Sequence, residues 1–158
     1  MALIFSGKSK CPLCNEIMYD YEDIVLFPPF VQNMKDPYYI FNDNGVHKKC
    51  LTASPLGARA MEYRDIVFYK TRPENRICDI GGNLITSMDD YIFTDLLTSD
   101  AKEDLHQFNF MTIDKNNLNK WVQRENFLIT ARKFLSDDKW KSLTKFNYLD
   151  YLIKVIES

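Results

Sequence analysis

Four residues of this 158-residue chain have the types and spacing that hold a metal ion: Cys11 and Cys14 in Cys11-Pro12-Leu13-Cys14, and His47 and Cys50 in His47-Lys48-Lys49-Cys50. Zinc takes four ligands in a tetrahedron, and thiolates with an imidazole satisfy it without ligand-field preference. One tight turn can offer Cys11 and Cys14 together. His47 and Cys50, three apart in a first helical turn, share one face and converge on one point. Three thiolates and a neutral imidazole leave a Zn2+ complex with a net charge of about -1 and no coordination position for water or substrate, which describes a structural site and not a hydrolytic one. Such binding is worth roughly 10 to 16 kcal/mol in finger peptides. A small domain has a typical net stability of only about 5 to 15 kcal/mol, so the N-terminal half is expected to depend on its metal. Two disulfides are the competing use of four cysteines, but the Cys-x2-Cys and His-x2-Cys spacings favour one structural Zn2+. Met1 to Lys10 carries no basic lead and no long apolar run, so a reducing cytoplasm is the expected compartment.

These residues resemble the treble-clef zinc-finger group, in which a Cys-x2-Cys knuckle, a β-hairpin and a helix donating the last two ligands follow in order. The resemblance covers roughly Lys10 to Leu51. It implies that Cys11 and Cys14 are the knuckle ligands and His47 and Cys50 the helix ligands. The second full ligand set that a two-zinc cross-brace needs is missing, which weakens a RING-like reading.

The elements that must position the ligands are partly legible. Ile24 to Phe27 and Tyr38 to Phe41 are short aromatic and β-branched runs separated by a Pro- and Asn-containing loop, the pattern of a long-looped hairpin. Asn42 to Gly45 reads as a turn, with a helix beginning near Val46. Ser54-Pro55 opens a helix expected to run to about Lys70, and Arg72-Pro73 ends it. Helical spacing returns in Leu118, Trp121, Val122, Leu128, Ala131 and Leu135. It returns again in Trp140, Leu143, Leu149, Leu152 and Ile156, after Ser136-Asp137-Asp138. Two C-terminal amphipathic helices are expected to pack on the preceding units.

Laying Cys11 to Leu51 on Cys78 to Leu118 without a gap pairs Cys11 with Cys78, Asp23 with Asp90, Lys35 with Lys102, Phe41 with Phe108, Asn42 with Asn109, Lys48 with Lys115 and Leu51 with Leu118. Leu13 with Ile80, Ile17 with Leu84, Val25 with Ile92 and Leu26 with Phe93 keep the apolar pattern in phase. The fold class expected is therefore α+β, two tandem treble-clef-like units: residues 1–72 zinc-bound, residues 73–158 a degenerate, metal-free copy with the two C-terminal helices. In that copy Gly81, Asp114 and Asn117 replace Cys14, His47 and Cys50, and a lone Cys78 cannot hold zinc. Burial under Trp121 and the C-terminal helices is expected to replace the metal.

Hydrophobic residues at 46% and charged residues at 27% describe a soluble globular protein. No apolar stretch is long enough to span a membrane. A net charge of -2 gives no general attraction to phosphate backbones. No phosphate-binding glycine loop and no Ser-His-Asp arrangement is visible. The expected function is a non-catalytic, zinc-stabilised protein-binding or adaptor protein, in general build similar to inhibitor or immunity-type binders. The loop Phe27-Pro28-Pro29-Phe30 offers aromatic anchors for an interface, or core rings under the hairpin. One alternative is nucleic-acid binding through Arg124, Arg132, Lys133, Lys139, Lys141 and Lys145. Another is an HNH-like nuclease, with His106 in a strand and Asp114 at a helix start.

Overall fold

A computed structural model describes residues 2–158 as a mixed α+β chain with two small antiparallel sheets. Strand β1 (Ile24–Leu26) pairs with β2 (Gly45–His47), with Ile24 opposite His47 and Leu26 opposite Gly45. Helices α1 (Lys48–Ala53) and α2 (Gly57–Lys70) follow. In the second half β3 (Tyr91–Phe93) pairs with β4 (Thr112–Asp114), and α3 (Arg124–Ser136) and α4 (Tyr148–Glu157) complete the chain.

The partner of β1 is not the expected one. Pro37–Phe41 is a 3-10 turn, and β2 is built from residues read as a turn and a helix start. Asp36 accepts from the Tyr38 amide at 2.9 Å and Pro37 takes the first helical position, a helix-start signature that outweighs the β propensity of Tyr38 to Phe41. The turn buries Tyr38 and Phe41, three residues apart, where a strand would have buried alternate residues.

The helix expected from Ser54 begins at Gly57. The residue before Pro55 is forced out of helical geometry, so the chain breaks into α1 and α2 at that point. The corner requires glycine, because a Cβ at Gly57 would stand 1.9 Å from the Leu51 carbonyl oxygen.

The C-terminal helices are shorter than their periodicity suggests. Leu118 lies in a 3-10 turn (Lys115–Lys120), Val122 is exposed ahead of α3, and Leu143 is exposed ahead of α4. Trp140 still packs on the core, from a loop. The second helix waits for Asn147, whose side chain accepts from the Asp150 amide at 3.1 Å and so caps α4.

Feature after feature recurs 67 residues on. The hairpins Ile24–Leu26/Gly45–His47 and Tyr91–Phe93/Thr112–Asp114 do so, as do the 3-10 turns Pro37–Phe41 and Asp104–Phe108. The knuckle bridge Lys10 to Ile17 returns as Ile77 to Leu84. Asn42 Oδ1 accepts from the Phe30 and Val31 amides, and Asn109 Oδ1 from those of Leu97 and Thr98. Asn15 and Gly82 share positive φ, as do Asp43 and Phe110. α2 and α3 start at equivalent positions.

One core gathers Cys11, Phe27, Phe30, Phe41 and Tyr63, together with Phe93, Leu96 and Phe110 from the second half. The other gathers Leu105, Phe108, Ile113, the inner face of α3 and the apolar stripe of α4. The halves are also tied by backbone, since the Leu96 amide donates to Phe30 O at 2.8 Å, and by the Ser99 amide donating to Asp36 Oδ2 at 2.7 Å. Among the described residues no helix is long and apolar enough to cross a membrane.

Candidate metal centre

The knuckle that carries Cys11 and Cys14 is closed by two backbone bonds, Asn15 N to Cys11 O at 2.8 Å and Cys11 N to Glu16 O at 2.9 Å. Asn15 takes the left-handed conformation (φ 62°) that lets the chain reverse there, which asparagine tolerates better than most residues. His47 ends β2 and is the residue immediately before α1, while Cys50 stands in the first turn of that helix. The hairpin register therefore fixes one pair of ligand residues, and the turn fixes the other.

The structure brings all four together. The Sγ atoms of Cys11, Cys14 and Cys50 and a ring nitrogen of His47 lie within 4.8 Å of one another. His47 Nδ1 is 3.4 Å from Cys14 Sγ and 3.9 Å from Cys50 Sγ. Zinc-sulfur and zinc-nitrogen bonds of about 2.3 and 2.0 Å require tetrahedral edges of roughly 3.5 to 3.8 Å; the two separations at His47 match these edges, and the whole cluster spans no more than 4.8 Å. It can hold a metal ion.

The electrostatics fit a cation. Burial pushes the Cys11 thiol up, but backbone N–H groups of His47, Leu13 and Cys14 directed at its sulfur outweigh that and hold it below the ordinary thiol value. Burial and the neighbouring Cys14 and Cys11 sulfurs push Cys50 up to about 11. A divalent cation here would supply the positive charge that favours the Cys50 thiolate despite its burial. Lys49 approaches Glu16 at 3.9 Å on an exposed surface, too open to contribute much.

No protein-family model, no curated protein and no solved structure matches this chain.

At the equivalent place in the second half, hydrogen bonds fill the position that a metal ion would take in the first. Cys78 is buried, and its Sγ receives the Gly81 amide at 3.4 Å, the Asp114 amide at 3.3 Å and Asn117 Nδ2 at 3.6 Å. Asn117 Nδ2 also donates to Asn83 Oδ1 at 2.7 Å, and Asn83 Nδ2 donates to Asp114 Oδ2 at 2.8 Å. Asn83 above all, then Asn116 and Lys120, hold the Asp114 carboxyl below its ordinary value against the cost of its burial. Gly81 is required here, because a Cβ would stand 2.3 Å from Asn117 Nδ2.

Burial alone is the expected replacement for the metal here, and the hydrogen bonds to Cys78 Sγ add to it; Trp121 packs on Phe108 and Phe127, with ring centroids at 5.9 and 5.6 Å. Asn83 and Asn117 were not singled out for this role from sequence. The available signal was that amide and carboxylate side chains stand where ligands stand in the first half.

The remaining candidates fall elsewhere. Phe27 and Phe30 are 1% and 0% exposed, and their rings contact Phe41 and Tyr63, so the proline loop supplies core and not anchors. His106 lies in a 3-10 turn and not a strand, and Asp114 is committed to the amide network. Of the basic side chains, Arg124 donates to Ile156 O and Glu157 O, Arg132 pairs with Glu157, Lys133 with Asp137 and Lys139 with Glu103.

Proposed function

We propose that the chain is a non-catalytic, zinc-stabilised protein-binding or adaptor protein. In this reading it consists of two tandem treble-clef-like units, the first organised by one structural Zn2+ on Cys11, Cys14, His47 and Cys50 and the second metal-free. The observation that carries the reading is that four potential ligand atoms, three thiol sulfurs and an imidazole nitrogen, lie within 4.8 Å of one another. A bound zinc supplies cross-linking charge there and keeps no position for a substrate or an activated water. The backbone N–H groups around Cys11 orient and stabilise its thiolate, as outer-shell partners do in closed sites. The 67-residue recurrence of hairpin, 3-10 turn and helix supports the tandem arrangement. A reducing cytoplasm suits a cluster that needs its thiols free.

A protein is favoured over nucleic acid as the partner because four of the six basic residues that would form a phosphate-binding face are committed to carboxylates or carbonyls within the chain. Exposed Phe5, Tyr19 and Tyr21, in the segments before β1 on the metal-bearing half, are the kind of aromatic side chain that anchors protein interfaces.

The test is affinity capture of the tagged full chain from native cells, combined with elemental analysis. The expected result is one zinc per chain and one protein partner in stoichiometric amount that survives nuclease treatment. Nucleic acid as the sole stoichiometric companion overturns the partner assignment, and metal-free purified protein with native structure overturns the zinc assignment.

A further inference from the structure

A cleft of about 390 Å³ opens where the two halves meet α4, away from the metal-ligand cluster. Its walls include Pro29 and Gln32 from the first half, Phe93 at the end of β3, Asp95 two residues beyond it, and Tyr148 and Tyr151 from α4; Tyr91 borders it as well. The rings are organised in two near-parallel pairs, Tyr91 with Phe93 at 6.5 Å and 11°, and Tyr148 with Tyr151 at 6.1 Å and 25°. Tyr148 is held in place by its hydroxyl donating to the Phe93 carbonyl. The Tyr91 hydroxyl is buried and has no hydrogen-bond partner among the described residues.

Asp95 is the acidic group in this aromatic wall. It sits in the left-handed conformation (φ 56°) and receives one side-chain hydrogen bond, from Gln32 Nε2 at 3.3 Å. No lysine or arginine of the chain pairs with it among the described residues. Burial pushes its carboxyl up to about 7, with the Gln32 bond a smaller effect in the opposite direction. A carboxylate so placed is short of a cation. Aromatic faces attract the same kind of group, and one face of Tyr91 already carries a guanidinium of the chain, that of Arg76 at 4.9 Å from the ring centroid. The equivalent position in the first half is Pro28, so the carboxylate belongs to this half alone.

We infer that this cleft receives an organic cation, an alkylammonium or guanidinium group, seated against the Tyr148 and Tyr151 rings and paired with the Asp95 carboxylate. If the protein-binding reading holds, the natural source is a lysine or arginine side chain of the partner; a free small amine is the other source of the same chemistry. The cation site itself does not depend on the metal centre or on any partner being found.

The experiment titrates the zinc-loaded full chain, followed by amide NMR, with n-butylammonium, n-butylguanidinium and capped Gly-Lys-Gly and Gly-Arg-Gly peptides, with n-butanol as the neutral control. Saturable shifts are expected at Gln32, Asp95 and α4 with the cations and not with butanol. Asp95→Asn, which keeps the side-chain shape, and Tyr151→Ala, which removes an exposed ring, are each expected to weaken binding about tenfold or more. Tighter binding of the capped peptides identifies a partner side chain as the source, and binding of the free cations alone identifies a small amine. The inference is overturned if no cation gives saturable shifts at the cleft, or if Asp95→Asn binds as the unaltered chain does. Capture experiments that return no partner leave this titration untouched, so the two readings fail separately.

Discussion

Arg64 and Tyr148 satisfy the same backbone position in the two halves of the molecule. Arg64 Nε donates to the carbonyl of Leu26, the last residue of β1, at 2.7 Å, and the Tyr148 hydroxyl donates to the carbonyl of Phe93, the last residue of β3. The counterpart of Arg64 on α3 is Ala131, which is fully buried and small enough for α4 to lie close. Where the second half recruits a helix, the first extends one long side chain, whose guanidinium also lies 4.7 Å from the centroid of the Phe68 ring.

Arg64→Ala is therefore expected to cost about 1 to 3 kcal/mol, by leaving the Leu26 carbonyl unpaired and uncovering Phe68. Tyr148→Phe keeps the ring and should cost about 1 kcal/mol. Urea unfolding midpoints measure both. An unchanged midpoint for Arg64→Ala would mean that water serves that carbonyl equally well.

Cys14→Ser or Cys50→Ser removes one ligand and is expected to abolish zinc retention. The core around Phe27, Phe30 and Phe41 should then lose amide protection before the core around Leu105, Phe127 and Leu152. A zinc held by the cluster would contribute roughly 10 kcal/mol or more to the first half, whereas hydrogen bonds around Cys78 stabilise the equivalent place in the second. Chelator titration followed by hydrogen exchange reads the order; simultaneous loss of protection in both cores would contradict it.

Gly81→Ala places a Cβ against Asn117 Nδ2 and should destabilise the chain by about 1 to 3 kcal/mol. The triple variant Gly81→Cys, Asp114→His, Asn117→Cys removes that amide and restores a Cys3His set with Cys78. It is expected to bind a second zinc. A metal content that stays at one equivalent in a folded triple variant would show that the two knuckles differ in more than their ligands.

Asp95 makes stability depend on pH. Its carboxyl is raised from an ordinary 3.8 to about 7 by burial, so between those values the unfolded chain is ionised while the folded chain keeps its proton. Stability from this group is full below about pH 4 and falls as pH rises through 7, by up to about 4 kcal/mol. Asp95→Asn should flatten the decline between about pH 6 and 8, a range chosen to stay above acid release of a zinc-bound imidazole. Parallel slopes for both proteins in thermal melts would refute the assignment.

How much of this was legible beforehand depends on the range of the interaction. Cys11, Cys14, His47 and Cys50 could be read as one set because each pair is local and thiols with imidazole are metal-binding groups. The 67-residue offset was readable as well, since shared positions such as Asn42 and Asn109 stay in register without a gap. The second strand was misread because Tyr38 to Phe41 has strong strand propensity while Asp36 and Pro37 impose a helical start, and β1 selects its partner through pairing across the hairpin loop.

What the residues determined on their own was therefore the cluster able to hold a metal ion, the α+β character and the periodic placement of apolar side chains, all short-range properties of spacing and type. Tertiary structure decided which strands pair, that Asn83 and Asn117 fill the place of an ion, and that Asp95 stands beside aromatic rings from distant segments. Those outcomes rest on contacts between residues far apart in the chain. Their closure entropy is offset only when the whole core forms, so no local stretch of sequence encodes them.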